Sequence, residues 1–255
     1  MIPEFLKEFE EDLKKHEREV IRIKAEPRKE AILEDKLNLK DSKFLGIPFY
    51  PKNKKYPRDK KEKPMIMVAQ LNFEQIPALE YFPKEGILQL FLSPTDWYDE
   101  DATIIYHSKE ELNQELLEDF SFIAIEDYEE MPIYKLHQLF FEKDIDKGGS
   151  EDSQFDFLFN GESYWSFTEN LNETQETQFH EYFDASGHKI GGYAEFTQAD
   201  PRDYTSENKE DIQLLQIDTD EHIMFGDSGL GHIFISRESL RLKDFSKAYF
   251  YWDCC

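Results

Sequence analysis

Three carboxylates and a histidine within five residues, Asp218-Thr-Asp220-Glu-His222, are the part of this sequence best suited to hold a cation. Along an extended strand Asp218, Asp220 and His222 share one face, and divalent ions take such oxygen and nitrogen donors. These three are the candidate metal ligands. Two other segments invite site readings and fit them less well. Asp144-Ile-Asp-Lys-Gly-Gly-Ser-Glu-Asp152 resembles a calcium loop, but an EF-hand wants an acidic or amide side chain at its fifth position and Glu at its twelfth. Gly148 and Phe155 stand there. Gly226-Asp-Ser-Gly229 carries the letters around a chymotrypsin-like nucleophile. A triad, however, is a geometry of serine, histidine and acid, not a tetrapeptide, and a turn opening the next strand accounts for these residues. The seven histidines are scattered, with no His-x-x-x-His pair, and no P-loop, dinucleotide fingerprint or nucleophile elbow occurs. No catalytic residue is assigned and no cofactor is expected.

Two glutamines in otherwise apolar strands are the other unusual polar residues. Gln70 lies in Met65-Ile-Met-Val-Ala-Gln-Leu-Asn-Phe73 and Gln216 in Leu214-Leu-Gln-Ile-Asp218. A buried amide must find partners. The reading taken here is that each bonds backbone across an interface between two repeats, with ligand binding by Gln70, Gln216 and Asp218 kept as the alternative. The repeats are visible in the order of motifs. Each Gln strand is followed by a loop and an apolar strand opened by Gly and closed by Ser, Gly86 to Ser93 and Gly229 to Ser236. Upstream, Lys43-Phe-Leu-Gly46 can be laid on His188-Lys-Ile-Gly191, and the Pro51–Pro57 loop on Asp200-Pro-Arg-Asp-Tyr204. The repeats then span about residues 42–93 and 187–236. Two copies are too few for a solenoid, so the expectation is two related β units sharing one core.

The composition bounds what these elements can do. With 22 Phe, 13 Tyr and 3 Trp in 255 residues, a sizeable core is available. The two cysteines are adjacent at positions 254 and 255 and give no disulfide framework. No apolar run approaches a bilayer span, and Met-Ile-Pro-Glu-Phe-Leu-Lys-Glu lacks the apolar stretch of a secretory signal. A cytoplasmic location without membrane contact is expected. Charge is distributed unevenly: residues 1–63 hold 18 Lys/Arg against 14 Asp/Glu, and the rest hold 12 against 41. So acidic a body disfavours nucleic acid, whose binding rests on phosphate neutralisation, and suits a basic protein partner. The lysine-rich loop 52–63 could hold a phosphate or an acidic peptide, although such a run is usually a solvated loop.

Residues 3–25 carry Phe5, Leu6, Phe9, Leu13, Val20 and Ile23 at roughly helical spacing. They predict an amphipathic helix that Pro27 ends, so residues 1–36 are expected as a helical arm and 37–255 as the main domain. Strands are predicted at 65–72, 87–92, 103–106, 122–126, 133–141 and 248–252, with helix within 155–183 and over 238–245. Strands dominate and several connections are short. The fold class is therefore α+β, predominantly antiparallel sheet with a few flanking helices.

The segments Ser42-Lys-Phe-Leu-Gly-Ile-Pro-Phe-Tyr-Pro51, Val68-Ala-Gln-Leu-Asn72, Gly86-Ile-Leu-Gln-Leu-Phe, Gly191-Gly-Tyr-Ala-Glu-Phe-Thr-Gln198, Leu214-Leu-Gln-Ile-Asp218 and Phe225-Gly-Asp-Ser-Gly229 together resemble the YwqG-like family of bacterial proteins over about residues 37–253. Ile47 stands where that family often has a second Gly. The resemblance implies a soluble, mainly β fold, no transferable catalytic residues and a toxin-neutralising partner role. The function expected is thus a non-enzymatic protein-binding module with an acidic surface. The alternative is a small-ligand binder or enzyme with a site between the two repeats.

Overall fold

Val, Ile, Leu and Phe recur through ten segments. In a computed structural model, which describes residues 1–202 and 206–255, these pair into one antiparallel sheet. The strands are β1 (Arg18–Pro27), β2 (Lys43–Phe44), β3 (Ile66–Asn72), β4 (Ile87–Leu92), β5 (Ala102–His107), β6 (His137–Asp146), β7 (Lys189–Gly191), β8 (Ile212–Ile217), β9 (Leu230–Ile235) and β10 (Tyr249–Asp253). Their order is β10-β9-β8-β7-β1-β6-β2-β3-β4-β5. The long strands β1 and β6 form the centre, paired over ten residues from Arg18 opposite Asp146 to Pro27 opposite His137. Each of them also pairs outward, β1 with β7 and β6 with β2. The sheet curls until its ends approach. Trp252 Nε1, in β10, donates to the Tyr98 carbonyl 3.1 Å away, and the Trp97 and Trp252 rings lie 5.1 Å apart, so the sheet is nearly a barrel.

Alternation sorts the side chains. Ile21, Ile23, Phe44, Leu71, Leu88, Leu90, Ile190, Leu215 and Ile233 fill the main core. The opposite face of β3 and β8 carries polar residues, yet every residue of β3 is buried, because loops cover that face as well. Both hairpins contain a bulge at the same place, between Met67 and Ala69 in β3 and between Gln213 and Leu215 in β8.

The N-terminal helix is much shorter than its periodicity suggests. A 3-10 turn over Glu4–Phe9 leads into α1 (Glu10–Leu13), and β1 follows. Residues 1–36 are therefore not a helical arm, since they supply a central strand. Val20, Ile21 and Ile23 fit a helix stripe but also a strand, and β-branched residues favour the pleated surface once β6 and β7 lie on either side. Residues 122–126, expected as a strand, form a turn and part of a 3-10 turn (Ile125–Tyr128), with Phe122 and Ile125 exposed. Conversely, Asp144 and Asp146 of the calcium-like segment belong to β6, opposite Val20 and Arg18. The Asp200–Tyr204 loop laid against Pro51–Pro57 falls partly outside the described residues.

A satellite core joins the N-terminus to a lobe over residues 148–188. Leu6, Phe9 and Leu13 pack against Phe157, Phe159, Phe179 and Phe183. The lobe's helices are α2 (Tyr164–Thr168) and α3 (Glu173–Tyr182). Asn172 caps α3 by accepting from Gln175 N, and the Gln175 side chain returns a bond to Asn172 N, which satisfies two otherwise orphaned donors. A last helix, α4 (Arg237–Leu242), follows β9 and is capped by Ser236. Among the described residues no helix is long and apolar enough to cross a membrane.

Candidate functional site

Gln70 and Gln216 are both fully buried. Gln70 Oε1 accepts from Phe49 N at 2.8 Å, and its Nε2 donates to the Leu39 and Asp41 carbonyls at 2.8 Å each. Gln216 does the same 146 residues later: Oε1 accepts from Glu195 N, and Nε2 donates to the Ala185 and Gly187 carbonyls. The partners are backbone of the loops flanking β2 and β7, so each amide fastens its own strap rather than reaching across a repeat interface. With donors and acceptor engaged, neither side chain offers a free group to a ligand.

The strands beside them carry buried lysines. Lys43 Nζ donates to Asp35 Oδ2 at 2.7 Å, and the same oxygen accepts from Ile47 N. Lys189 Nζ donates to Asp146 Oδ2 at 3.0 Å, and that oxygen accepts from Tyr193 N. Burial pulls both ammonium groups down in pKa, and the facing aspartates oppose the shift. The turns are glycine for a steric reason: both have positive φ, and a Cβ at Gly46 would collide with Asp35, at Gly192 with Asp146. The geometry therefore matches Lys43 and Gly46 with Lys189 and Gly192, one residue later than the alignment to His188 and Gly191 read from the sequence.

The acidic cluster lies at the end of β8 and is engaged with the chain itself. Asp218 accepts from Gly187 N at 2.6 Å and Thr219 N at 2.7 Å. Asp220 accepts from His222 N and from His188 Nε2, the latter at 3.3 Å. His222 Nε2 faces Lys135 Nζ at 3.1 Å. His188 takes the Asp218 N–H on its Nδ1, which fixes its proton on Nε2, toward Asp220. Burial raises the Asp220 carboxyl, but the His188 and His222 bonds outweigh it and hold the pKa low. Among the described residues no group of three or more His, Cys, Asp and Glu is arranged to hold a metal ion. The structure brings in two histidines that the spacing did not indicate, His188 from β7's entrance and His137 from β6. His137 is fully buried, its ring 6.1 Å from that of His222, with neither nitrogen hydrogen-bonded. Burial pushes its pKa down. Its place is set by strand pairing, with Phe44 of β2 on one side and Pro27 of β1 on the other.

The acidic charge divides into two stretches of equal strength. Residues 110–134 and 148–188 each hold nine Asp/Glu and no Lys/Arg. The first lies against the lysine-rich loop: Leu117 N donates to the Tyr50 carbonyl, Lys52 pairs with Glu115, Lys54 with Glu111 and Lys63 with Asp127. Four of that loop's six lysines are thus paired, counting Lys61 with Asp96, and of the stretch's own carboxylates Glu111, Glu115 and Asp127 have a Lys partner among the described residues. The second stretch is the lobe, where seven of the nine are exposed. Among the described residues its one Lys/Arg ion pair is the buried Asp152 with Arg202; Asp156 and Glu176 face only histidines. Trp165 and Leu158 stand out among these carboxylates, 52% and 59% exposed.

The profile of a domain family of unknown function, DUF1963, matches residues 42–254. The chain belongs to this family. The DUF1963 match opens just before β2 and includes every later strand, both glutamines, the 218–222 cluster and both acidic stretches. It leaves β1 outside, although β1 pairs with β6 and β7 inside it. No curated protein matches the chain.

Proposed function

We propose that this DUF1963 protein is a non-enzymatic, cytoplasmic protein-binding module that holds a basic protein against the 148–188 lobe. The observation that carries the reading is the lobe's charge: seven exposed carboxylates without a Lys or Arg partner among the described residues, in a lobe that also carries an exposed tryptophan. Like charges gathered without counter-charge raise the local potential and speed encounter with a cation-rich surface. An exposed tryptophan is a common binding anchor. The resemblance to YwqG-like proteins supports a toxin-neutralising role for the module, with the basic partner as the toxin. Capture from the source organism's extract tests it: a basic protein retained at low salt, released at high salt, and not retained by the variant Glu162→Gln/Glu169→Gln/Glu173→Gln/Glu176→Gln. Retention indifferent to salt would sink the electrostatic reading.

The scaffold beneath is read as a duplication. What supports it is the spacing of 146 residues shared by the Gln70 and Gln216 bonds, by Lys43 and Lys189 and by the two strand bulges; the aspartates that answer the lysines lie 111 residues apart. In this reading the units are β1–β5 and β6–β10, and each inserts its first strand beside the second strand of the other.

A further inference from the structure

Where the halves stop matching, the surface opens. Leu45 and Met67 are buried in one half; at the corresponding places in the other stand Gly191 and Gln213. Those two line a cleft of about 330 Å³ between the start of β1, the ends of β7 and β8, the 79–82 loop and α4. That volume suits a small organic molecule. Gln213 forms part of its wall and is fixed there: Nε2 donates to the Gly191 carbonyl at 3.0 Å, and Oε1 lies 3.2 Å from His232 Nδ1. Leu79 and Phe82 supply an apolar side.

The charges of this cleft are sorted by pairing. Glu17 is taken by Lys147 at 2.5 Å and Glu19 by Lys143 at 2.7 Å, while Glu80, beside Tyr81, has no Lys or Arg partner among the described residues. Arg18 and Arg237 line the same cleft, and among the described residues neither has a carboxylate within 4.0 Å. Arg18 lies over the Tyr193 ring at 3.9 Å and bonds the Gln154 amide; Arg237 lies 5.6 Å from the Tyr81 ring. Both guanidiniums are thus oriented by neutral groups and keep donors free. In a chain with 55 Asp/Glu against 30 Lys/Arg, two arginines left unanswered at one cleft are unexpected. Tyr81, which lines the cleft together with Arg237, has a φ of 70°, a strained value for a bulky residue and of the kind found at ligand clamps.

We propose that this cleft binds a small organic anion, its carboxylate or phosphate head held by Arg18 and Arg237 and its apolar body against Leu79 and Phe82. Guanidinium is the side chain that matches such oxyanions in a planar, two-donor geometry. The cleft borders the acidic lobe through Gln154, and the proposal does not rest on a protein partner.

Ligand-observed NMR and calorimetry on the full chain test this, with benzoate, phenyl phosphate, inorganic phosphate and benzyl alcohol as probes at up to millimolar concentration. Saturable binding of benzoate or phenyl phosphate, without binding of benzyl alcohol, is expected. Arg237→Gln should weaken it by roughly tenfold or more, as loss of a charge-assisted bond implies. Gly191→Ala, which narrows the cleft beside Leu79 without touching charge, should also weaken the two aromatic anions while inorganic phosphate is less affected. Melting temperatures of both variants show whether they remain folded. Inorganic phosphate binding as well as phenyl phosphate would remove the apolar part of the proposal. No saturable binding by any anion, or equal binding by folded Arg237→Gln, would overturn it.

Discussion

In the half of the sheet that runs from β2 to β5, Lys43 reaches Asp35 and Gln70 ties down the loops on either side of β2. In the half from β7 to β10, Lys189 reaches Asp146 and Gln216 ties down the loops beside β7. The buried frame is the same; what lies over it differs. The first half is closed by Leu45 and Met67 and by a lysine loop set against its own acidic stretch. The second half has Gly191 and Gln213 at an open cleft and carries a lobe whose carboxylates have almost no cationic partners. The contrast separates construction from use. Groups that recur in both halves with all bonds made are there to hold the sheet, and those that differ and stay unpaired are free to meet something else.

The largest expected effect tests the shared frame. Lys43→Met leaves the buried Asp35 without its cation and should destabilise by about 3–5 kcal/mol in denaturant unfolding; Lys189→Met removes one of the two cations on Asp146, where Arg22 remains, and should cost less. A clear loss at both positions would support the shared frame, and a large effect at one with none at the other would break it. Gln70→Leu and Gln216→Leu come next. Gln70→Leu strands the Phe49 N–H and the Leu39 and Asp41 carbonyls and takes an acceptor from Gln89 Nε2, and Gln216→Leu strands the Glu195 N–H and the Ala185 and Gly187 carbonyls, so about 1–3 kcal/mol is expected per variant, again in parallel.

A smaller effect distinguishes the halves through pH. Glu195, whose N–H bonds Gln216, has its carboxyl pushed up to about 7, chiefly by burial; Lys189 opposes the shift, and Glu151, Asp184 and Asp218 add to it. A raised acid stabilises the fold when protonated. Its contribution is full below the ordinary glutamate range and is lost as pH rises through 7. Thermal melts at pH 5 and pH 8 should therefore show Glu195→Gln gaining on the wild type at the higher pH, and an unchanged difference between the two would contradict this. Phe49 holds the matching place in the first half and has no such titration. The smallest effect is on the covering: Lys54→Ala removes a partly exposed pair with Glu111 and should cost about 0.2–1 kcal/mol.

The core strands were legible because their patterns are strong. Met65–Asn72, Ile87–Leu92 and the closing Tyr249–Asp253 segment are apolar runs bounded by Gly, Pro or Ser, and they appear as strands. β1 was missed because Val20 and Ile23, three residues apart, fit a helix stripe, whereas the strand's core face is Ile21 and Ile23, and the deciding neighbour, β6, lies more than a hundred residues away. The two glutamines stood out as polar residues in apolar runs, but their partners are carbonyls and N–H groups of loops, which carry no sequence signal. Asp35 and Asp146 could not be linked to their lysines, since the two ion pairs span 8 and 43 residues. Asp218, Asp220 and His222 do lie together, and what absorbs their hydrogen bonds is largely loop backbone together with His188 and Lys135. The overall acidity was plain in the composition. Which carboxylates are answered was not, because that depends on where the lysine loop packs.

The most direct measurement is the affinity of the captured basic partner for three proteins side by side, at low and high ionic strength. These are the wild type, the lobe variant Glu162→Gln/Glu169→Gln/Glu173→Gln/Glu176→Gln, and a control with equal charge removed from the other stretch, Glu118→Gln/Glu126→Gln/Glu129→Gln/Glu130→Gln. The account expects the lobe variant to bind roughly tenfold or more weakly at low salt, the control to stay near wild type, and the gap to shrink as salt rises. Equal loss in the two variants would mean that overall charge, and not the lobe, holds the partner.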